Sequence, residues 1–108
     1  MAYRSFGEFW PFYVREHAHR LNRQLHFIGT SSALVFLAVA LSGHPWGWAL
    51  APIFGYGFAW TGHFFVEKNR PATFRYPLYS LAADFVMYSK IWQGRMESEV
   101  QLHCGAAG

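Results

Sequence analysis

The stretch QLHFIGTSSALVFLAVALSGHPWGWALAPIFGYGFAWTGHFFV, from Gln24 to Val66, decides the fold because it contains no Asp, Glu, Lys or Arg. It is more than twice as long as the about 20 apolar residues that one membrane-spanning helix needs. Near its middle, SGHPWG at 42–47 combines two glycines with a proline and predicts a turn. A soluble helical hairpin would need a polar face on each helix, and 34–41 has none. We therefore expect an all-α integral membrane protein with two spanning helices, near 24–42 and 47–66.

The composition supports this class and excludes several others. Of the 108 residues, 53% are hydrophobic and 14% are charged, whereas soluble domains average about 25% charged residues. The net charge of +3, without a run of basic residues, argues against nucleic acid as a partner. The single cysteine, Cys104, excludes an internal disulfide and a thiolate zinc site. The length allows one domain.

Two further helices are predicted outside the hairpin. Aromatic residues recur at helical spacing over 6–13, with Ser5 and Glu8 as a capping box. This segment predicts an amphipathic helix that lies on the membrane, and a helix docked on a core would have the same signature. Residues 77–92 predict a third helix, interfacial or packed on the hairpin. We expect residues 1–96 to form one membrane-embedded domain and residues 97–108 to be a flexible tail.

The charges that flank the hairpin predict its orientation. Arg4, Arg15, Arg20 and Arg23 precede the hairpin, and Lys68, Arg70 and Arg75 follow it, whereas the intervening turn is uncharged. By the positive-inside rule, both termini are expected in the cytoplasm, with the protein in the inner membrane if the source is bacterial.

Two of the six histidines occupy matched positions in the hairpin. His26 and His63 are equally far from the turn, so an antiparallel hairpin places them at the same depth, near the cytoplasmic interface. His17 and His19 precede the first span on that side. His44 belongs to the opposite end, about 25–30 Å away at a rise of 1.5 Å per residue. It is therefore not expected to share a site with them.

The surroundings of His63 favour a metal site. Ala51, Gly55 and Ala59 continue its face at a spacing of four, and such small residues let two helices approach closely. Glu67 follows one turn later, as a second ligand or as a hydrogen-bond partner of a ligand. Imidazoles with a carboxylate and no thiolate suit iron, zinc or copper, and an open-sided set suits non-haem Fe(II). The alternative is an interfacial histidine without a metal.

The loop EKNRPATF, at 67–74, is a second candidate site. Arg70 and Lys68 suit a carboxylate or phosphate head group, and we include Asn69 with them as substrate-binding. The alternative is a positive anchor loop, which explains the charges but not the asparagine. Asp84 is a lone acid on an otherwise apolar helix, either a partner of the site or an ion-pair mate of a nearby arginine.

Two motifs in this chain resemble those of the 2-hydroxy-fatty-acid dioxygenase family, which was known first from fungi. The first motif consists of His17, Asn22, Arg23, His26 and Gly29. The second consists of Tyr56, Ala59, Trp60, Gly62, His63, Phe64, the loop 67–74, Pro77, Ser80, Leu81 and Asp84. The resemblance extends over roughly residues 5–90.

The resemblance implies a small membrane enzyme that uses Fe(II) and O₂ to shorten a 2-hydroxy fatty acid by one carbon. The implied iron ligands and catalytic residues are His17, His26 and His63. Glu67, which we also include among the catalytic residues, is our first choice for a fourth ligand, and His19 is our second. Asn22 and Asp84 are expected to support the ligands without binding the metal, and so is His19 where it is not itself a ligand.

The assignment of His17 depends on the backbone that follows it. The family has a proline between the first histidine and the asparagine, whereas this chain has Ala18-His19-Arg20-Leu21. In an unbroken helix, His17 and His26 would lie on opposite faces, and His19 would share the face of His26. His19 therefore remains an alternative to His17.

The sequence is also compatible with two other functions. One is a non-enzymatic membrane protein that binds anionic lipid through its basic residues. The other is a lipid hydrolase that uses a zinc-bound hydroxide. A homo-oligomer is also left open.

Overall fold

The computed structural model describes residues 3–105, which form five α-helices and no β-strand. The helices are α1 (Phe6–Glu16), α2 (Arg20–Leu41), α3 (Trp46–Thr61), α4 (Pro77–Trp92) and α5 (Met96–Cys104). A π-helical segment, Gly62–Glu67, continues α3 directly, and a 3₁₀ turn, Ala72–Phe74, precedes α4. The all-α prediction is confirmed.

The predicted hairpin is formed by α2 and α3. Among the helices of residues 3–105, α2 is the one long and apolar enough to cross a membrane, and this length criterion is weak evidence by itself. α3 has 16 residues before the π-helical segment begins, so a second span is not established by length. The turn between them follows Leu41, close to the predicted position.

Close backbone contact between α2 and α3 requires glycine near the base of the hairpin. A Cβ atom on Gly29 would lie 2.9 Å from the carbonyl oxygen of Gly55 and 3.0 Å from the Cβ of Phe58. The first distance is shorter than real contacts of a Cβ atom, and the second is shorter than most of them. Glycine therefore permits the approach that brings facing side chains of the two helices together.

The other three helices pack together as a cap at the base of the hairpin. Phe9, Tyr13 and Val14 of α1 are fully buried against Met87 of α4 and Met96 of α5. The aromatic face of α1 is thus covered by protein rather than lying on the membrane. Of the two interpretations of this segment, the docked helix is the one observed. Ser5 caps α1 as predicted, its Oγ accepting from the Glu8 N–H at 3.2 Å.

The C-terminal segment differs from the flexible tail that the sequence suggested for residues 97–108. α5 covers Met96–Cys104, with Met96 and Val100 buried on one face. Its Glu97 accepts a hydrogen bond from Arg23 at 3.0 Å. These contacts come from residues far away in the chain, which is why local composition did not reveal the helix. Residues 106–108 of the predicted tail lie outside the described range.

Candidate metal centre

A break between α1 and α2 determines where His17 points. α1 ends at Glu16, and α2 begins at Arg20. The buried guanidinium group of Arg23 donates to the carbonyl oxygens of His17, at 2.9 Å, and Ala18, at 2.7 Å. Because the helix is interrupted, His17 and His26 are not held on opposite faces of one helix.

Three of the predicted residues converge at the junction of α1, α2 and the π-helical segment. His17, His26 and His63 are 1%, 4% and 3% exposed. They form a group in which one ligand atom from each residue lies within 4.8 Å of the others. Their rings are almost mutually perpendicular, at 81°, 82° and 87°. His44 lies exposed in the turn and is not a member of this group.

Hydrogen bonds fix the tautomer of each imidazole in this histidine cluster. The Nδ1 atom of His17 donates to the Tyr13 carbonyl oxygen at 2.7 Å, and that of His26 donates to the Asn22 carbonyl oxygen at 2.9 Å. The Nδ1 atom of His63 donates to Asn69 Oδ1 at 2.7 Å. An oxygen of a carbonyl or amide only accepts, so all three Nδ1 atoms carry the hydrogen. The Nε2 atoms are therefore left with lone pairs.

The Nε2 lone pairs of His17 and His26 face each other beside His63, and a cation would satisfy them. Nε2 of His17 lies 3.0 Å from Nε2 of His26. Two neutral acceptors at that separation repel, whereas imidazole–metal bonds of about 2.0–2.1 Å accommodate ligand nitrogens roughly 3 Å apart. Burial and the neighbouring imidazoles of His26 and His63 hold the pKa of His17 well below its ordinary value, which keeps it neutral. The donor set therefore fits a transition-metal ion.

The π-helical segment and the residue that ends it hold His63 in place. π-helical turns are rare and are found frequently at functional sites. Lys68 closes the segment in the left-handed conformation, with φ 59°, and the chain then turns back so that Asn69 reaches His63. The Nδ2 atom of Asn69 donates to the Glu16 carbonyl oxygen at 3.1 Å, which orients its oxygen toward the imidazole. Asn69, predicted to bind substrate, thus contacts a predicted ligand.

Glu67 lies at the start of α2 rather than in the histidine cluster. Its Oε2 atom accepts from the backbone N–H of His19 at 2.7 Å and from Asn22 Nδ2 at 3.2 Å. The wider turn of the π-helical segment changes the angle between His63 and Glu67 that an α-helix would give. A carboxylate at a helix N-terminus is favourable, so the structure accounts for Glu67 without making it a fourth ligand.

His19 and Asn22, which lie beside Glu67 at the start of α2, stabilise the local fold. The imidazole of His19 caps α2, its Nδ1 accepting from the Leu21 N–H at 3.2 Å. Asn22 is fully buried, and its Oδ1 would collide with any side chain at Gly62. His19 is therefore not beside His26, as the alternative assignment required.

Asp84 reaches the histidine cluster through Tyr13. The Tyr13 hydroxyl donates to Asp84 Oδ1, and the Tyr13 ring stacks on His17 with the ring centres 4.0 Å apart. Burial raises the pKa of Asp84 to about 7. Burial, together with the charge of Asp84, also raises the pKa of Tyr13. Of the two alternatives for Asp84, the structure shows a contact with Tyr13 beside the cluster, and the partner of its carboxyl group is Tyr13 rather than an arginine.

Lys68 and Arg70 lie on the exposed surface of the loop. The guanidinium carbon of Arg70 lies 5.2 Å from the centre of the Phe74 ring. Both residues line a surface depression of about 620 Å³ together with Asn69. Their predicted contact with substrate remains a prediction.

Sequence reasoning missed the roles of Tyr13 and Arg23. The sequence places Tyr13 only in the aromatic helix at 6–13, and it indicates for Arg23 a flanking charge and membership of the first motif but no contact. A signal existed for Arg23, because it stands inside the first motif between Asn22 and His26. No comparable signal marked Tyr13, whose partners come from α4 and the interhelical turn.

The chain matches a known protein family over most of its length. The family described as 2-hydroxy-palmitic acid dioxygenase Mpo1-like matches residues 3–96, which confirms the resemblance inferred from the two motifs. No curated protein and no solved structure shows significant similarity to the chain. Because the match covers most of its length, the chain belongs to the 2-hydroxy-palmitic acid dioxygenase Mpo1-like family.

Proposed function

We propose that this protein is an Fe(II)-dependent membrane dioxygenase that shortens 2-hydroxy fatty acids by one carbon. The observation that carries the proposal is the convergence of three buried Nε2 lone pairs, each set by a hydrogen bond at Nδ1. The family name supplies the substrate class and the use of O₂. Buried imidazoles without a thiolate or a carboxylate among the clustered atoms are compatible with a non-haem iron site.

In this proposal His17, His26 and His63 hold the iron. When bound, Fe(II) supplies open coordination positions and the one-electron chemistry that reaction with O₂ requires. The chain positions the imidazoles. The Tyr13 ring and the carbonyl oxygens of Tyr13 and Asn22 fix their orientation, and the cap helices keep water away from the imidazoles. Arg70 or Lys68 is proposed to bind the substrate carboxylate, for which Arg70 must leave the Phe74 ring.

The overall reaction balances with O₂ as the only oxidant. The bond between the carboxyl carbon and the hydroxyl-bearing carbon breaks. The hydroxyl-bearing carbon becomes the new carboxyl group, and the old carboxyl carbon leaves as CO₂. The substrate loses four electrons, which reduce O₂, and one water is formed.

The same proposal places the hairpin in a bilayer. Large apolar side chains point away from protein along both helices, with Leu41 76% and Ile53 61% exposed. Exposed apolar surface of this extent is typical of a membrane or protein contact. α3 and the π-helical segment together cover 46–67 without a break, which supports a second span. Reporter fusions at both termini should report the cytoplasm, and fusions on opposite sides would contradict this topology.

Metal analysis and an oxygen-dependent assay test the activity. We expect protein purified without O₂ to contain about one iron per chain. Added O₂ should then convert 2-hydroxypalmitate to an acid with 15 carbons. Iron-loaded, folded protein that leaves 2-hydroxypalmitate untouched would contradict the proposal. Zinc as the native metal would favour the hydrolase, which the same three imidazoles could equally support.

A further inference from the structure

An apolar groove runs from the histidine cluster along the hairpin. Its volume is about 230 Å³, and it is bordered by α2, α3 and α4. On α2 the lining residues are His26, Thr30, Ala33 and Leu37, and on α3 they include Ala51, Gly55 and Ala59. The groove is thus continuous with the site proposed to hold the metal.

The groove has one polar end and one apolar end. His26 and Asp84 line it near the cluster, whereas Leu37 and Ala51 line it toward the turn. From His26 to Leu37 the helix rises about 16 Å. At roughly 1.3 Å per carbon of an extended chain, as carbon–carbon bonds of about 1.5 Å allow, this distance accommodates about a dozen carbons.

Small residues create the space in the middle of the groove. A Cβ atom on Gly55 would meet the Cβ of Ala33 at 3.5 Å, an ordinary contact, so the backbone does not require glycine here. Along the rim, Leu81 and Phe85 of α4 are 45% and 44% exposed. The groove therefore opens sideways, toward the region that lipid would occupy around the hairpin.

We propose that this groove binds the alkyl chain of a long-chain acid whose carboxyl end lies at the histidine cluster, and that Gly55 and Leu37 set the chain length. The proposal rests on the proposed function, since it places the reacting end of the substrate beside the metal ligands. Because each buried methylene contributes about fourfold to affinity, acids that stop short of Leu37 bind more weakly than acids that fill the groove.

The test uses the full-length, iron-loaded protein in phospholipid nanodiscs and a 2-hydroxypalmitate that carries a diazirine on its terminal carbon. After irradiation, peptide mapping should place the label near Leu37 and Ala51. Gly55→Leu should reduce this labelling at least tenfold. Gly57→Leu is the matched control, because Gly57 is on the same helix with no atom within 4 Å of its Cβ position. It should leave the labelling unchanged.

A second variant is expected to enlarge the groove, whereas Gly55→Leu is expected to block it. Leu37→Ala lengthens the groove and should shift the preferred substrate toward longer acids, with iron content unchanged. Label scattered over outward residues such as Ile53, or equal labelling of Gly55→Leu and wild type at equal iron content, would overturn the proposal. Label in the groove without oxidation of the acid would instead contradict the proposed reaction, and oxidation with scattered label would contradict only the groove.

Discussion

The two ends of the hairpin carry the same residue type in opposite environments. At the base, His26 and His63 are buried beneath the cap helices and face a third imidazole, His17. At the turn, His44 is exposed, with the Trp46 ring 5.8 Å away. His26 and His63 are aligned because they are equally far from the turn in sequence. The third imidazole of the cluster, His17, comes from the end of α1.

The largest expected difference between the two ends is in metal binding. His26→Ala and His63→Ala should each abolish iron binding and the oxygen-dependent loss of one carbon, because residues 3–105 place no other imidazole in the cluster to replace them. His44→Ala should leave both unchanged. Elemental analysis and product analysis measure the effects. Metal loss in His44→Ala would contradict the assignment of the site to the base.

A pH-dependent effect is expected at Asp84 in the cap. Between pH 3.8 and about 7 the unfolded chain ionises this carboxyl group, whereas the folded protein keeps it protonated. The free energy of unfolding therefore falls as the pH rises through this interval. Asp84→Asn keeps an acceptor for Tyr13 and removes the titration, so the variant should be more stable than wild type by about 2–4 kcal/mol at pH 7.5.

The difference should shrink toward zero at pH 4. Denaturation of both proteins at each pH measures it, and the titration of His17 is common to both. A stability difference that is independent of pH would show that the Asp84 carboxyl group is ionised throughout this range.

The attachment of the cap to the base can be tested at Arg23. Arg23→Ala removes the hydrogen bonds to the carbonyl oxygens of His17 and Ala18, as well as the pair with Glu97. Leaving buried carbonyl groups unpaired should cost about 2–3 kcal/mol of stability. Arg20→Ala, on the exposed surface of the same helix, should change stability by less than about 0.5 kcal/mol. Equal losses in the two variants would contradict the special role of Arg23.

A smaller effect is expected from the residue that orients His63. Asn69→Leu removes the acceptor for Nδ1 and should weaken iron binding by about 10–100-fold. Asn69→Asp retains an acceptor oxygen and should retain most of the affinity. Competition with a chelator measures both. If both variants bind iron as wild type does, the hydrogen bond at 2.7 Å does not position the ligand.

The smallest expected effect is at Lys68. Its left-handed conformation costs about 1 kcal/mol more for a lysine than for a glycine, so Lys68→Gly should raise stability by about that amount. If the ammonium group also binds the substrate carboxylate, KM should rise while kcat changes little. A decrease in stability would show that the lysine side chain makes contacts that outweigh its backbone cost.

Much of the fold could be predicted because its signals are local. The uncharged stretch gave the hairpin, SGHPWG gave the turn, and the predicted third helix coincides with α4 at Pro77–Trp92. The site was predictable in part. Depth matching selected His26 and His63, and the family resemblance preferred His17 over His19. The flexible tail and the ligand role of Glu67 were not supported. Both outcomes depend on distant partners, because α5 packs on α1 and Glu67 accepts a hydrogen bond from the backbone N–H of His19.

The sequence by itself determined α1 to α4 and the alignment of His26 with His63 in the hairpin, since apolar periodicity and distance from a turn are properties of the chain alone. Only the tertiary structure decided that the chain breaks after Glu16, so that His17 faces His26. Arg23 holds that break together with Glu97, a residue 74 positions away. A long-range hydrogen bond leaves no periodic trace in sequence, because its energy comes from the folded arrangement of two segments and not from either one.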